Sequence, residues 1–418
     1  MNKTLFFTGL ALIALMTGCS TDATSQDADE ETFSPAEISD SKENIQLGTG
    51  NAAFTEGTVE SRSTAVSRSA INSDEKGHFV LDGIHLFCLA TRQLHNGFKY
   101  PIDWSSHGTT TTGVQSYSVW LDNVVVNAKD SIINGNDSTV LEWADGHNRY
   151  YPIGNGHAYS FFAIYPAPQE LVYAKNSIHG RIDMNYGATD IIWGAADKQV
   201  TNPSGEDTLA YCAKYFHQPG KFGETPALKF KHALMRFHFT FTAGADAAGS
   251  TDSAKQLRIG AIEIHKVPTQ GSLYIASRDG QHAAGSMECD WKNVAKMQTI
   301  ELEDVDGLHR LDKEYWVTDE VQDVGQNIMV PVPPTNDYYE ISITLYKKGY
   351  VDADGKSVPI KSIIQWPLSL NKSLTFEAGK SYNVNLKVYG LQWMKLGATL
   401  SPWIEVNGAF DENSVEIN

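Results

Sequence analysis

Apolar and polar residues alternate with period two through the middle and end of this chain, a pattern that predicts β-strands and not helices. In Phe230 to Phe241, Ala233, Met235, Phe237, Phe239 and Phe241 share one face, while His232, Leu234, Arg236, His238 and Thr240 share the other. The alternation is cleaner in Tyr382-Asn383-Val384-Asn385-Leu386-Lys387-Val388, which predicts a half-buried antiparallel strand with its polar residues toward water. His78 to Ala90, Tyr117 to Val126, Ala158 to Tyr165, Leu228 to Phe241, Leu257 to His265, Glu340 to Tyr346 and Ser381 to Val388 are all rich in β-branched and aromatic residues and predict strands. Asn134-Gly135, Asp145-Gly146, Asn155-Gly156, Asp279-Gly280, Asp354-Gly355 and Ala378-Gly379 supply turn chemistry between such runs. Helical periodicity is scarce.

Many short strands with Gly-rich turns predict an all-β chain of sandwich or barrel architecture, and 418 residues suffice for two such domains in tandem. Turn formers between Gln218 and Pro226 interrupt the strand pattern before a strong new strand begins. They place the domain boundary there, giving an N-terminal domain over 45–225 and a C-terminal domain over 226–418.

The N-terminus reads differently. Lys3 precedes an apolar run from Leu5 to Met16 that is too short to span a bilayer, and Leu15-Met16-Thr17-Gly18-Cys19 follows. This arrangement resembles a bacterial lipoprotein signal, with residues 1–18 removed and Cys19 lipidated; an ordinary signal peptide with a chance cysteine is the other reading. Asp22, Asp27, Asp29, Glu30 and Glu31 then lie among Ser, Thr and Ala, a composition that predicts a disordered acidic tether over 19–44. An acidic stretch at this place resembles the export signal of surface lipoproteins of Bacteroidetes, and a plain solvated linker fits the same charges.

A net charge of -17 with no basic block argues against nucleic acid or anionic lipid as a partner. Beyond Cys19 the cysteines are Cys88, Cys212 and Cys289, an odd number at wide spacings, so neither a disulfide framework nor a cysteine metal site is expected.

The ordered set of motifs along the chain resembles the fimbrillin-like, Mfa-like lipoproteins, which supply subunits of the type V fimbriae of Bacteroidetes. It comprises the Cys19 leader, Tyr150-Tyr151-Pro152, Tyr159 to Pro166, Thr189 to Gly194, Leu228 to Leu234, Glu377 to Tyr382 and Leu400-Ser401-Pro402-Trp403. The resemblance implies two tandem transthyretin-like β-sandwich domains behind the signal and tether. It also implies an outer-membrane lipoprotein precursor, and assembly with other fimbrial subunits after an arginine-specific protease removes an N-terminal strand that a neighbour's strand replaces.

The parts for such processing are present. Ile45, Leu47, Ala53, Phe54 and Val59 suffice for one weak strand, and Arg62 and Arg68 follow in small, polar settings suited to an exposed, cleavable loop. A solvated linker accounts for the same two arginines. After Trp403, the tail from Ile404 to Asn418 holds apolar residues for one short donor strand, which leaves stalk, tip and anchor positions open.

No G-x-S-x-G elbow, P-loop, H-E-x-x-H or glycine fingerprint occurs, so the chain is not expected to be an enzyme or to need a cofactor or metal. His232 and His238 share a predicted strand face but stand about 20 Å apart at strand rise, too far for one ion. Trp104, Trp120, Trp143, Trp193, Trp291, Trp366 and Trp403 make a sugar-stacking platform if two or three are coplanar and exposed; core filling is the competing role. That platform underlies an alternative function, a monomeric surface glycan-binding lipoprotein. Asp130-Ser131-Ile132, Asp207-Thr208-Leu209 and Asp252-Ser253-Ala254 resemble a short O-glycosylation acceptor motif, with Ser131, Thr208 and Ser253 as the acceptors.

Overall fold

A computed structural model describes residues 81–93, 101–106, 117–133, 136–151, 157–184, 187, 189–196, 211, 226, 228–245, 248–303, 311, 315–334, 339–351, 353–364, 376–390, 393–402 and 415–416. The first strands are β1 (Leu81–Gln93), β2 (Val119–Ile133), β3 (Asn136–Trp143), β4 (His157–Tyr165), β5 (Glu170–Tyr173), β6 (Ser177–Asp183), β7 (Ile192–Ala196) and β8 (Lys229–His232). Next come β9 (Met235–Ala243), β10 (Leu257–Pro268), β11 (Gln270–Ser277), β12 (Met287–Glu288), β13 (Met297–Glu301), β14 (Tyr315–Trp316), β15 (Gln322–Asp323) and β16 (Ile328–Val330). The last are β17 (Glu340–Val351), β18 (Ser357–Ile364), β19 (Lys380–Gly390), β20 (Trp393–Pro402) and β21 (Val415–Glu416). Helix among the described residues is confined to short 3-10 turns, in keeping with the all-β expectation.

Four sheets result. Sheet A has the order β3-β2-β1-β4-β7-β8 and sheet B the order β12-β11-β6-β5. Sheet C runs β15-β9-β19-β20-β21 with β16 also on β9, and sheet D runs β13-β10-β17-β18 with β14 also on β10. Sheets A and B face each other across Phe87, Leu89, Phe162 and Ile164 on one side and Ile178, Ile182, Leu273 and Ile275 on the other. Sheets C and D enclose a second core, with Phe237, Phe239, Val384 and Leu386 against Ile262, Ile264, Ile341 and Ile343. Each is a β-sandwich in which alternate residues of a strand point inward. Gly280, between β11 and β12, and Gly355, between β17 and β18, have φ of 71° and 78°, the left-handed conformation their turns require.

Three expectations are modified. The run from Phe230 to Phe241 is not one strand: a bend at 233–234 divides it into β8 of sheet A and β9 of sheet C. Ala233 and Leu234 therefore join the core between sheets A and B, while Met235, Phe237, Phe239 and Phe241 line the second core. β19 is antiparallel only to β20; it pairs parallel with β9 from Ser381↔Arg236 to Val388↔Ala243. Finally, a cut at 225/226 separates paired strands, because β8 pairs with β7 and β11 pairs with β6.

Candidate assembly site

The central strands of sheet A, β1 and β4, are buried on both faces. Phe87 and Leu89 of β1 point toward sheet B, whereas Ile84, Leu86, Cys88 and Ala90 point the other way, and every one of these six is 0 % exposed. That second face continues across Val126 and Ala128 of β2, Phe161 and Ala163 of β4, Ile192 and Ala196 of β7 and Phe230 of β8. In β4 the double burial leaves eight consecutive buried residues, which accounts for the unbroken apolar run Phe161-Phe162-Ala163-Ile164.

Aromatic side chains close one end of this face. Tyr151 and Tyr211 meet Phe161 edge-on, at centroid distances of 6.3 and 5.8 Å. The Tyr159 backbone N–H donates to the Tyr211 carbonyl at 2.9 Å, and the Tyr159 hydroxyl donates to the Tyr117 carbonyl at 3.1 Å. At the far edge Gly194 lies under the Phe230 ring, whose nearest atom stands 2.5 Å from where a Cβ would sit. Burial also pushes the Cys88 thiol well above its usual pKa, so this cysteine is an apolar floor residue and not a nucleophile.

The second feature is the edge of sheet C. β20 pairs along its length with β19, and on its other side Val415 and Glu416 pair with Ala398 and Gly397. Two residues of the C-terminal tail thus add a short strand to the sheet of their own chain.

Cys19, Arg62, Arg68, Thr208, Trp366 and Trp403 lie outside the described residues. Ser131 sits within β2, where its backbone pairs with Ser138 of β3. Ser253 is exposed at the start of a 3-10 turn, and its side chain makes no capping hydrogen bond.

His232 and His238 are on different sheets. The His232 Nδ1 lies 3.0 Å from the Asp190 carboxylate, with both side chains 1 % exposed. His238 places Nδ1 2.9 Å from Asn327 Oδ1 and Nε2 3.0 Å from Asp323 Oδ1, which ties β9 to β15 and to the loop that follows it.

The described tryptophans of the expected platform are dispersed. Trp104 is fully buried with its N–H on the Ala90 carbonyl, Trp193 donates to the Ile275 carbonyl, and Trp291 packs on the second core. Trp143 carries Arg149 over its ring at 5.5 Å. Trp120 is parallel to Tyr117 within 8°, yet both rings are half-buried and the Trp120 N–H is taken by the Tyr150 carbonyl. Tyr151 and Tyr159 stand in the sequence motifs and Tyr211 does not, and nothing in the sequence connects the three with one sheet face.

With fold and faces in place, comparison with known proteins gives the class. The sequence matches the fimbrillin-like family over residues 100–403, and the chain belongs to that family, one of structural fimbrial subunits. A comparison with curated proteins finds no match. Among solved structures, a fimbrilin (FimA) of Porphyromonas gingivalis W83 is similar at 10% identity, covering 89% of this chain and 100% of that one, with a TM-score of 0.37. The tip fimbrial protein Mfa3 of Porphyromonas gingivalis, truncated at its C-terminus, is similar at 11% identity over 78% and 95%, with a TM-score of 0.33. A proposed cell adhesion protein of Bacteroides uniformis ATCC 8492 is similar at 14% identity over 79% and 100%, with a TM-score of 0.41. At such TM-scores the assignment rests on the family match.

Proposed function

We propose that this chain is a structural or tip subunit of type V fimbriae, exported as an outer-membrane lipoprotein and serving cell adhesion. Lipidation at Cys19 holds the precursor to the membrane. Cleavage after Arg62 or Arg68 then frees the anchor together with the weak strand containing Ile45, Leu47, Ala53, Phe54 and Val59. A strand from another subunit takes its place.

The observation that supports this reading is the double burial of β1 and β4 at the centre of sheet A. A sheet with Ile84, Leu86, Phe161 and Phe230 on one face and Phe87, Leu89 and Phe162 on the other needs an apolar cover on both sides. Each apolar side chain that a donor strand buries there is worth about 1.5–3 kcal/mol, so a few alternate positions suffice for a lasting joint. The short β21 on the β20 edge supports a C-terminal segment able to act as a strand.

Export and processing are tested together in cells. Labelled palmitate should enter the wild-type precursor and not Cys19→Ala, and assembled material should begin at residue 63 or 69. Unchanged labelling of the variant, or assembled protein that retains residues 45–59, contradicts the proposal.

A further inference from the structure

The chain does not visit the two sandwiches one after the other. β8 belongs to sheet A and β9, two residues later, to sheet C. β10 belongs to sheet D, yet β11 begins after a single intervening residue, Thr269, and pairs with β6 in sheet B from Gln270↔Asp183 to Ser277↔Ser177. The path from β12 to β13 then returns it from sheet B to sheet D.

Each of the two direct crossings is fastened. At the first, the Ala233 N–H donates to the Ile191 carbonyl of the first sandwich, and the Leu234 carbonyl accepts from the Gly379 N–H of the second, both at 2.8 Å. At the next, the Thr269 carbonyl accepts from the Met184 N–H at 2.8 Å.

Packing joins the same parts. β16 alternates between the two cores: Ile328 and Val330 line the core between sheets C and D, while Met329 lies in the core between sheets A and B, with Leu234 and Met184. Gly187, at φ +81°, lies against this strand so closely that a Cβ would stand 2.7 Å from Ile328 Cγ2 and 3.1 Å from the Met329 carbonyl oxygen.

From this threading we infer that the two sandwiches form one cooperative unit, which unfolds in a single step and transmits tension through three chain crossings. A single flexible linker would leave two independent units. Removing Leu273 or Ile275 from β11 damages the first core through a segment whose flanking strands, β10 and β13, belong to the second. Loss of either sandwich therefore removes partners from the other, the condition for coupled opening. The inference concerns the folded unit and holds whether or not the chain assembles into fimbriae.

Hydrogen exchange across a urea series on the full chain, read by mass spectrometry, tests it. Amides of β4 and β6 in the first sandwich and of β10 and β19 in the second should reach one common opening isotherm. Leu273→Ala, in the first core, and Ile343→Ala, in the second, should each lower the midpoint of both sets in step. Should Leu273→Ala fail to accumulate folded protein, Ile275→Val gives the same readout with a smaller change. Earlier exchange of β4 and β6 while β10 and β19 stay protected, or a core variant that moves one set alone, overturns the inference.

Discussion

Asp190 precedes β7 and His232 ends β8, and their side chains meet inside the protein with the imidazole Nδ1 3.0 Å from the carboxylate. A carboxylate this deep is tolerated because it has a partner; alone it would carry the full desolvation penalty. Asp190→Ala should therefore destabilise the fold by about 1–3 kcal/mol in denaturant titration, the range for leaving a buried hydrogen-bonding group without its partner. A loss under about 1 kcal/mol would mean that the pair does not fasten β7 to β8. Neither residue announces this in the sequence, where they stand 42 positions apart. The sequence does show that His232 and His238 are poor candidates for one metal ion, and the fold removes the pairing altogether by placing them on different sheets.

Strands were legible where two apolar residues in every four face a core, as in β9, β10, β17 and β19, and less so where glycine dilutes the signal. β6, β7 and β11 contain Gly180, Gly194 and Gly271, and in each the missing Cβ makes room for a neighbour: Pro168, the Phe230 ring and the Met287 sulfur would stand 2.5, 2.5 and 2.7 Å from a Cβ placed there. The residue that allows close packing thus lowers the local β propensity. The division of Phe230 to Phe241 was hidden for another reason: both halves need period-two alternation, so the pattern runs on while the strand changes sheet. Parallel pairing of β9 with β19 is equally silent, since side chains alternate identically in either sense. At the C-terminus, β21 holds only Val415 and Glu416 against β20. Deleting residues 403–418 should leave the unfolding midpoint nearly unchanged but stop arginine-cut subunits from polymerising, as followed by light scattering. Polymerisation at the wild-type rate would show that the tail is not the donor.

For the molecule as a whole, composition and strand pattern were enough for an all-β chain of sandwich type, and the ordered motifs for the fimbrillin-like family. The connection between the halves was not legible, because sheet membership depends on contacts as distant in sequence as β6 with β11 and β9 with β19. The candidate assembly face was half legible: the apolar runs of β1 and β4 mark burial on both sides, but nothing local says which side faces sheet B. What joins these observations to function is the claim that a strand covering sheet A can be removed and replaced. The most direct test is digestion of the purified, non-lipidated protein with an arginine-specific protease, followed by N-terminal sequencing and size-exclusion chromatography with light scattering. One cut is expected, after Arg62 or Arg68, with conversion of monomer into a ladder of oligomers. A product cut at that place that stays monomeric at every concentration would contradict it.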